Sequence, residues 1–333
     1  MDFAKIGANV NSSESSTFIK GRTLQLDADF LSYDCANTEE SIAENVKHIR
    51  NKVKMHMRQA GAEFCNLHLT MGMKGGREQM ASVKPYQHKR GADRDPARTE
   101  RKVALRNEMA NFNFRTCKPV VNLYQEADDS LTQYQVADVK NSVLMSGDKD
   151  LWMVEGLHCD YKTGRLWSTQ GYGKTEYRDT VKSDGTFAPK LIGEGTSWFW
   201  YQVVMGDTAD TIPGLPKLSG KLAEKYVPNK KPNPKRKAIA CGEAKAHAML
   251  KDVKDDRQAY QRVFDAYCQW YGDTAKAMFF EQAFLLWMRK TEDPCDVLKF
   301  LKPLGFNYTL TTDQSQRLLR YAEFKAIQEE RNE

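Results

Sequence analysis

Five short acidic elements carry the chemistry in this sequence: Asp27 with Asp29 beside it, Glu126-Ala127-Asp128-Asp129, Asp148-Lys149-Asp150, Gly206-Asp207, and Asp210. The first three directly follow short apolar runs that read as β-strands. Asp207 and Asp210 are spaced i,i+3, which puts them on one face if the segment is helical. A lone Asp at a strand end ordinarily caps a turn or helix. The joint occurrence after successive strands points further. Carboxylates gathered within a few Å resist joint ionisation unless cations neutralise them. Oxygen-only ligands select hard ions such as Mg²⁺ or Mn²⁺. Two such ions roughly 3.5–4 Å apart can clamp a phosphodiester, one activating water and the other stabilising the leaving oxygen.

The acids need a frame that converges them. Leu24-Gln25-Leu26-Asp27 is a strand ending in acid, Phe64 to Met71 reads as a second strand, Pro119 to Tyr124 as a third, and Ser142 to Met145 starts a fourth. Between them, Ser41 to Gln59 places Ile42, Val46, Ile49, Val53 and Met57 on one helical stripe stopped by Gly61, and Ala127 to Val139 reads as helix. Strands alternating with helix-length segments predict a mainly parallel α/β sheet, whose ligands collect at the carboxyl ends of the strands. Leu157 to Leu191 holds two turn signals, Lys162-Thr163-Gly164-Arg165 and Ser183-Asp184-Gly185-Thr186, that predict β-hairpins. From Ser197 onward the chain reads helical. Trp198-Phe199-Trp200-Tyr201, Val263 to Tyr271 and Met278 to Met288 are core rather than binding surface.

Charge supports an anionic partner without defining it. The 333 residues carry a net charge of +6, with a pI near 8.8 and a mean hydropathy of −0.66. A basic stretch lies between the second and third strands, including Lys74, Arg77, Lys84, Lys89, Arg90, Arg98, Lys102 and Arg106. No run approaches the ~18–20 apolar residues that cross a bilayer. Seven scattered cysteines without a CxxC pair argue against a disulfide framework or zinc ribbon and for a reducing compartment. His68, His88, His158 and His247 lack metal spacing and a Ser or Cys partner, and no catalytic role is assigned to them.

The acidic elements match a known pattern. Leu26-Asp27-Ala28-Asp29, Gln125-Glu126-Ala127-Asp128-Asp129, Ser146-Gly147-Asp148-Lys149-Asp150-Leu151 and Gly206-Asp207-Thr208-Ala209-Asp210-Thr211-Ile212-Pro213-Gly214 resemble the motifs of the flap endonuclease / 5′–3′ exonuclease superfamily, in order and at compatible spacings. The likeness is to its bacteriophage exonuclease branch and to the 5′-nuclease domain of bacterial DNA polymerase I, and it runs from about residue 24 to residue 250. It implies a PIN-like α/β core with a helical-hairpin DNA-binding region and a helical C-terminal part. The expected domains are a mobile tail at 1–21, a nuclease domain at 22–205 with a basic arch at about 72–118, a helix-hairpin-helix region at 206–255 with a basic insertion, and a helical region at 256–333.

By the resemblance, Asp27, Glu126, Asp128 and Asp148 look like ligands of a first metal. Asp150, Asp207 and Asp210 look like a second site, with Asp129 close to both. Asp27, Asp128, Asp148 and Asp150 would be the catalytic acids. DNA contacts would come from Tyr86, Gln87, Lys89, Arg90, Lys221 and Lys245, and from the amides at Gly214 and Gly242. The implied cofactors are two Mg²⁺ or Mn²⁺ ions and a K⁺ ion at the hairpin. The glycine-rich turn of that hairpin fits either 218–223 or 240–246; the helix-opening chemistry favours the latter, making Lys217 to Ile239 a basic insertion. Two departures stand out. Leu69-Thr70-Met71 lacks the usual aspartate after the second strand, so the first site has one acid fewer or recruits Asp29. Gln87 replaces the usual lysine after Tyr86, a role open to Lys84 or Lys89.

The expected function is metal-dependent 5′–3′ hydrolysis of DNA, with a structure-specific flap endonuclease or a weakly catalytic DNA-clamping replication accessory protein as alternatives. A PIN-type ribonuclease is disfavoured by the GDxxDxIPG element. Expected partners are DNA with 5′ ends or flaps and replication proteins. The chain is expected to be a monomer in the cytoplasm, the host cytoplasm if phage-encoded.

Overall fold

The computed structural model describes residues 18–88, 95–181, 185–215, 218–219, 225, 238–239 and 241–332. They fall into two compact units, one within 1–73 and 94–171 and the other within 74–93 and 172–333.

The first unit is built on a six-stranded sheet: β1 (Ile19–Asp27), β2 (Ala62–Thr70), β3 (Cys117–Asn122), β4 (Ser142–Met145), β5 (Gly156–Cys159) and β6 (Leu166–Thr169). Its order is β3-β2-β1-β4-β5-β6, parallel except for β6, which turns back on β5 through the first predicted hairpin. The helices are α1 (Ala28–Asp34), α2 (Ile42–Ala60), α4 (Pro96–Ala110) and α5 (Ala127–Ala137); α3 (Arg77–Met80) belongs to the second unit. Local chemistry fixes α2 at both ends. Ser41 and Glu44 form a reciprocal capping box, and Gly61 closes the last turn at φ +61. The predicted stripe is inward: Val46, Ile49, Val53 and Met57 are buried in one core with Leu24, Leu26 and Leu67. All four residues of β4 are buried, as expected of a parallel strand covered on both faces.

The strands that end in acid are not all neighbours, because β2 separates β3 from β1. The chain winds outward from β1 in both directions, so β1 and β4 flank the topological switch point, where the carboxyl ends of an open sheet leave a crevice. Asp27 ends β1 and Asp148 follows β4 there.

In the second unit, β7 (Lys174–Val181) and β8 (Phe187–Glu194) form the second predicted hairpin. Helix α6 (Thr196–Met205) is buried along its whole length. It packs on α7 (Glu243–Leu250), α8 (Asp256–Tyr271) and α9 (Ala275–Leu286). Trp200, Tyr201, Tyr267, Phe279 and Phe280 fill this core, so the aromatic run is structural. These contacts carry residues 172–205 with the C-terminal helices, so the boundary expected at 205 falls near residue 171. Helices α10 (Val297–Leu301) and α11 (Thr312–Asn332) complete the unit. Two residue pairs, Leu218–Ser219 against Ala238–Ile239, bracket the basic segment between them. No helix among the described residues is long and apolar enough to cross a membrane.

Candidate active site

Asp27 is the last residue of β1 and the N-cap of α1, so its carboxylate is held at the sheet edge rather than free to rotate. Its Oδ1 accepts from the amide of Phe30 (2.8 Å) and its Oδ2 from the hydroxyl of Ser146 (2.6 Å). Ser146 Oγ in turn accepts from the amide of Asp148 (2.9 Å), tying the ends of β1 and β4 together. Between them Gly147 lies against Phe30, and a side chain there would meet the Phe30 ring unless that ring moved. Asp148 caps the short 3₁₀ segment Lys149–Met153 by accepting from the amide of Asp150 (2.9 Å). Asp150 pairs with Lys149 at 2.8 Å.

These acids perturb one another. Burial raises Asp27 from its ordinary 3.8 to about 6, with Asp29 adding to the rise and Ser146, Phe30 and Arg106 opposing it. Asp148 is pushed to about 7, by burial first and then by Asp150 and Asp27. Asp128, in the first turn of α5, is raised well above its ordinary value by burial, and then by Asp27, Asp148, Glu126 and Asp29. Glu126 is the N-cap position of α5, and Asp129 is fully buried in its first turn. Asp27, Asp29, Glu126, Asp128, Asp148 and Asp150 therefore belong to one region of negative charge at the switch point.

Asp29 stands where β2 offers no acid of its own. Its carboxylate accepts from the Thr70 amide (3.3 Å to each oxygen) and pairs with Arg106 (2.9 Å). Burial raises it, and Arg106, Thr70 and Lys102 oppose the rise. The Thr70 hydroxyl accepts from the Ala127 amide (2.8 Å), fixing the start of α5 against β2. Ser146, Thr70 and Arg106 were not assigned roles from sequence. The signal for Arg106 was its spacing with Arg98 and Lys102, i, i+4 and i+8 along one face of α4. Arg98 sits 4.3 Å from the ring centroid of Tyr33, and Lys102 5.7 Å.

Below the acids, the sheet carries a buried polar chain. Gln25 Oε1 accepts from Asn66 (3.0 Å) and from Nε2 of His68 (2.9 Å), while His68 Nδ1 faces the Ser130 hydroxyl. Burial depresses His68 to about 3 and His158 to about 4, so both are neutral.

Asp207 and Asp210 lie in the second unit and correct the helical expectation. Residues 207–212 form a turn closed by an antiparallel bridge between Asp207 and Ile212, and Asp207 Oδ1 accepts from the amides of Ala209 (2.6 Å) and Asp210 (3.3 Å). Gly206 (φ +69) and Gly214 (φ +62) lie back to back, so a Cβ on either would collide with the backbone of the other. Tyr86 donates to Asp210 Oδ2 (3.1 Å), the Gln87 amide donates to the Asp210 carbonyl (2.9 Å), and Lys74 donates to the Gln87 side chain. The Gly214 amide, expected to hold phosphate, is buried and donates to Gln282 Oε1 (2.9 Å). Gly242 is the N-cap position of α7 and Lys245 is exposed in its first turn, so a helix does open within 240–246. Lys89, Arg90 and Lys221, with residues 220–223 of the alternative turn at 218–223, lie outside the described residues. Arg77 is buried and donates to the carbonyls of Leu285 (3.2 Å) and Trp287 (2.9 Å), which makes it an internal anchor rather than a lid charge.

The donor set suits a hard divalent cation: all oxygen, and in electrostatic excess. As placed, no three His, Cys, Asp or Glu side chains among the described residues are gathered into a metal-holding group.

The chain thus joins an α/β unit with acids at its switch point to a largely helical second unit. No protein-family model matches the chain, and no curated protein matches it in sequence. Solved structures do match. In particular the fold is that of the 5′-exonuclease of bacteriophage T5, whose zinc-bound structure aligns at 13% identity with a TM-score of 0.51, covering 91% of this chain and 99% of that one. A T5 flap endonuclease in complex with DNA and metal ions aligns at 12% identity with a TM-score of 0.46, covering 91% and 98%.

Proposed function

We propose that the chain is a divalent-metal-dependent 5′-nuclease that hydrolyses DNA from 5′ ends. The observation that carries this reading is the mutual electrostatic strain of Asp27, Asp128 and Asp148 at the switch point. A purely structural role gives no reason to keep several carboxylates in each other's field. The T5 exonuclease fold supports the reading, since that structure holds divalent zinc ions.

Asp27, Glu126, Asp128 and Asp148 are the proposed first ligand group. Asp150, Asp207, Asp210 and Asp129 are proposed as further ligands on their motifs alone. Divalent ions, when bound, supply charge neutralisation and Lewis-acid polarisation of phosphate oxygens. The protein's own share is orientation. Ser146 and the Phe30 amide hold Asp27, the Asp150 amide holds Asp148, and Arg106 balances Asp29. Tyr86, Gln87, Lys245 and Gly242 are proposed DNA contacts, with Lys89, Arg90 and Lys221 proposed on sequence, and K⁺ at the 240–246 turn.

The test uses 5′-labelled nicked and flapped duplexes with Mg²⁺ or EDTA, and the variants Asp148→Ala and Asp150→Ala. Cleavage by the wild type that needs Mg²⁺ and is lost in both variants is expected; full activity in the variants would refute the assignment. The length of the products separates stepwise 5′–3′ exonuclease from flap endonuclease action. The ungathered acids favour one second reading, a DNA clamp without catalysis, for which flap binding without Mg²⁺-dependent turnover is the sign.

A further inference from the structure

Two consecutive residues of α9, Glu281 and Gln282, are 3% and 0% exposed in a helix whose only other polar residue is the exposed Lys276. Buried polar side chains are costly unless fully bonded, and at such positions Leu or Phe would serve a core equally well. Adjacent helical residues point about 100° apart, so the two reach different places. Glu281 accepts from the amides of Ser82 (2.9 Å) and Val83 (3.4 Å) and from the Ser82 hydroxyl. Gln282 accepts from the Gly214 amide, and Tyr271 of α8 donates to the Gly214 carbonyl (3.1 Å).

The segments so held, residues 82–83 and Gly214, lead directly into two others that meet. Tyr86 and Gln87 bond the side chain and backbone of Asp210. The first of these segments is pinned from its other end as well. Arg289 donates to the Gly75 carbonyl (3.3 Å) and Arg317 to that of Met80 (3.2 Å).

We propose that Glu281 and Gln282 are positioning residues that together set Tyr86 and Gln87 against the acidic turn Asp207–Asp210. This gives the C-terminal helices, which lie beyond the recognisable motifs, a defined part in the reaction. The inference rests on the nuclease reading for its consequence, though not for its geometry.

The experiment compares Glu281→Met and Gln282→Met with the conservative Glu281→Gln, which keeps an acceptor for the Ser82 amide. Leu285→Ala serves as a packing control on the same helix. Steady-state cleavage of nicked duplex in Mg²⁺ is measured with amide hydrogen exchange on the same full-length proteins. Gln282→Met is expected to lower kcat by about tenfold, and Glu281→Met to raise KM for DNA by about fivefold, with Glu281→Gln close to wild type. Leu285→Ala, though less stable, should shift neither. Exchange in Gln282→Met should quicken at Gly214 and spread through 207–212 to 86–87. Exchange confined to Gly214, or kinetic changes in Leu285→Ala equal to those of the Met variants, would overturn the proposal. If the wild type does not cleave at all, the nuclease reading fails and the exchange pattern alone decides whether Glu281 and Gln282 position Tyr86 and Gln87.

Discussion

Replacing Asp27 by asparagine removes a charge from the most crowded part of the sheet edge, and the consequence for stability can be worked from the structure. Burial and Asp29 raise this carboxyl from 3.8 to about 6 in the folded protein. A group whose folded pKa lies above its unfolded one binds its proton more tightly when folded. Its favourable contribution is complete below pH 4 and is lost as pH rises through about 6. At pH 8 the ionised form therefore costs about 3 kcal/mol relative to the protonated one. Asparagine mimics the neutral state and can still accept from the Phe30 amide, but the Ser146 hydroxyl loses a charged acceptor, which costs about 1 kcal/mol. The net gain at pH 8, without divalent ions, is about 2 kcal/mol, or roughly 4–8 °C in Tm for a unit of this size. Thermal unfolding from pH 4 to pH 8 reads it directly. Asp27→Asn should be slightly less stable than wild type at pH 4 and more stable at pH 8. A variant that is less stable by the same amount across the range would refute the electrostatic reasoning.

Other expectations follow from the same contacts. Arg106→Gln leaves Asp29 buried without its cation and should lower metal-free stability at pH 8 by about 1–2 kcal/mol, with added Mg²⁺ recovering most of the loss; denaturant titration with and without Mg²⁺ checks it. Gly214→Ala forces a side chain onto φ +62 against the Gly206 backbone, and urea unfolding should show a loss of at least about 1–3 kcal/mol. Gln25→Leu strips an acceptor from the buried His68 and Asn66 and should cost about 1–3 kcal/mol, with no change in the pH dependence of cleavage, since His68 is neutral throughout the working range.

The elements of the site were legible where local chemistry specifies them. The apolar runs ending at Asp27 and Met145, the stripe of α2 with its Ser41 cap and Gly61 stop, and both hairpin turns are written in neighbouring residues. Those signals sufficed for a parallel α/β fold with acids at its strand ends. The order of the strands was not legible, because nothing near Thr70 announces that β2 lies between β3 and β1. Partnerships across the chain were hidden for the same reason. Arg106 with Asp29 and Gln282 with Gly214 join residues that no periodicity links. The i,i+3 spacing of Asp207 and Asp210 fits one helical face and equally a turn closed by its own aspartate, so spacing alone does not separate the two.

The proposed site gathers Asp27, Asp128 and Asp148, with divalent cations balancing their charge. Calorimetric titration of metal-free protein with Mn²⁺, comparing wild type with the triple variant Asp27→Asn, Asp128→Asn and Asp148→Asn, measures it without reference to activity. Saturable binding by the wild type that disappears in a folded triple variant is the predicted result. Equal binding by both proteins, or none by the wild type, would show that these acids do not form a cation site.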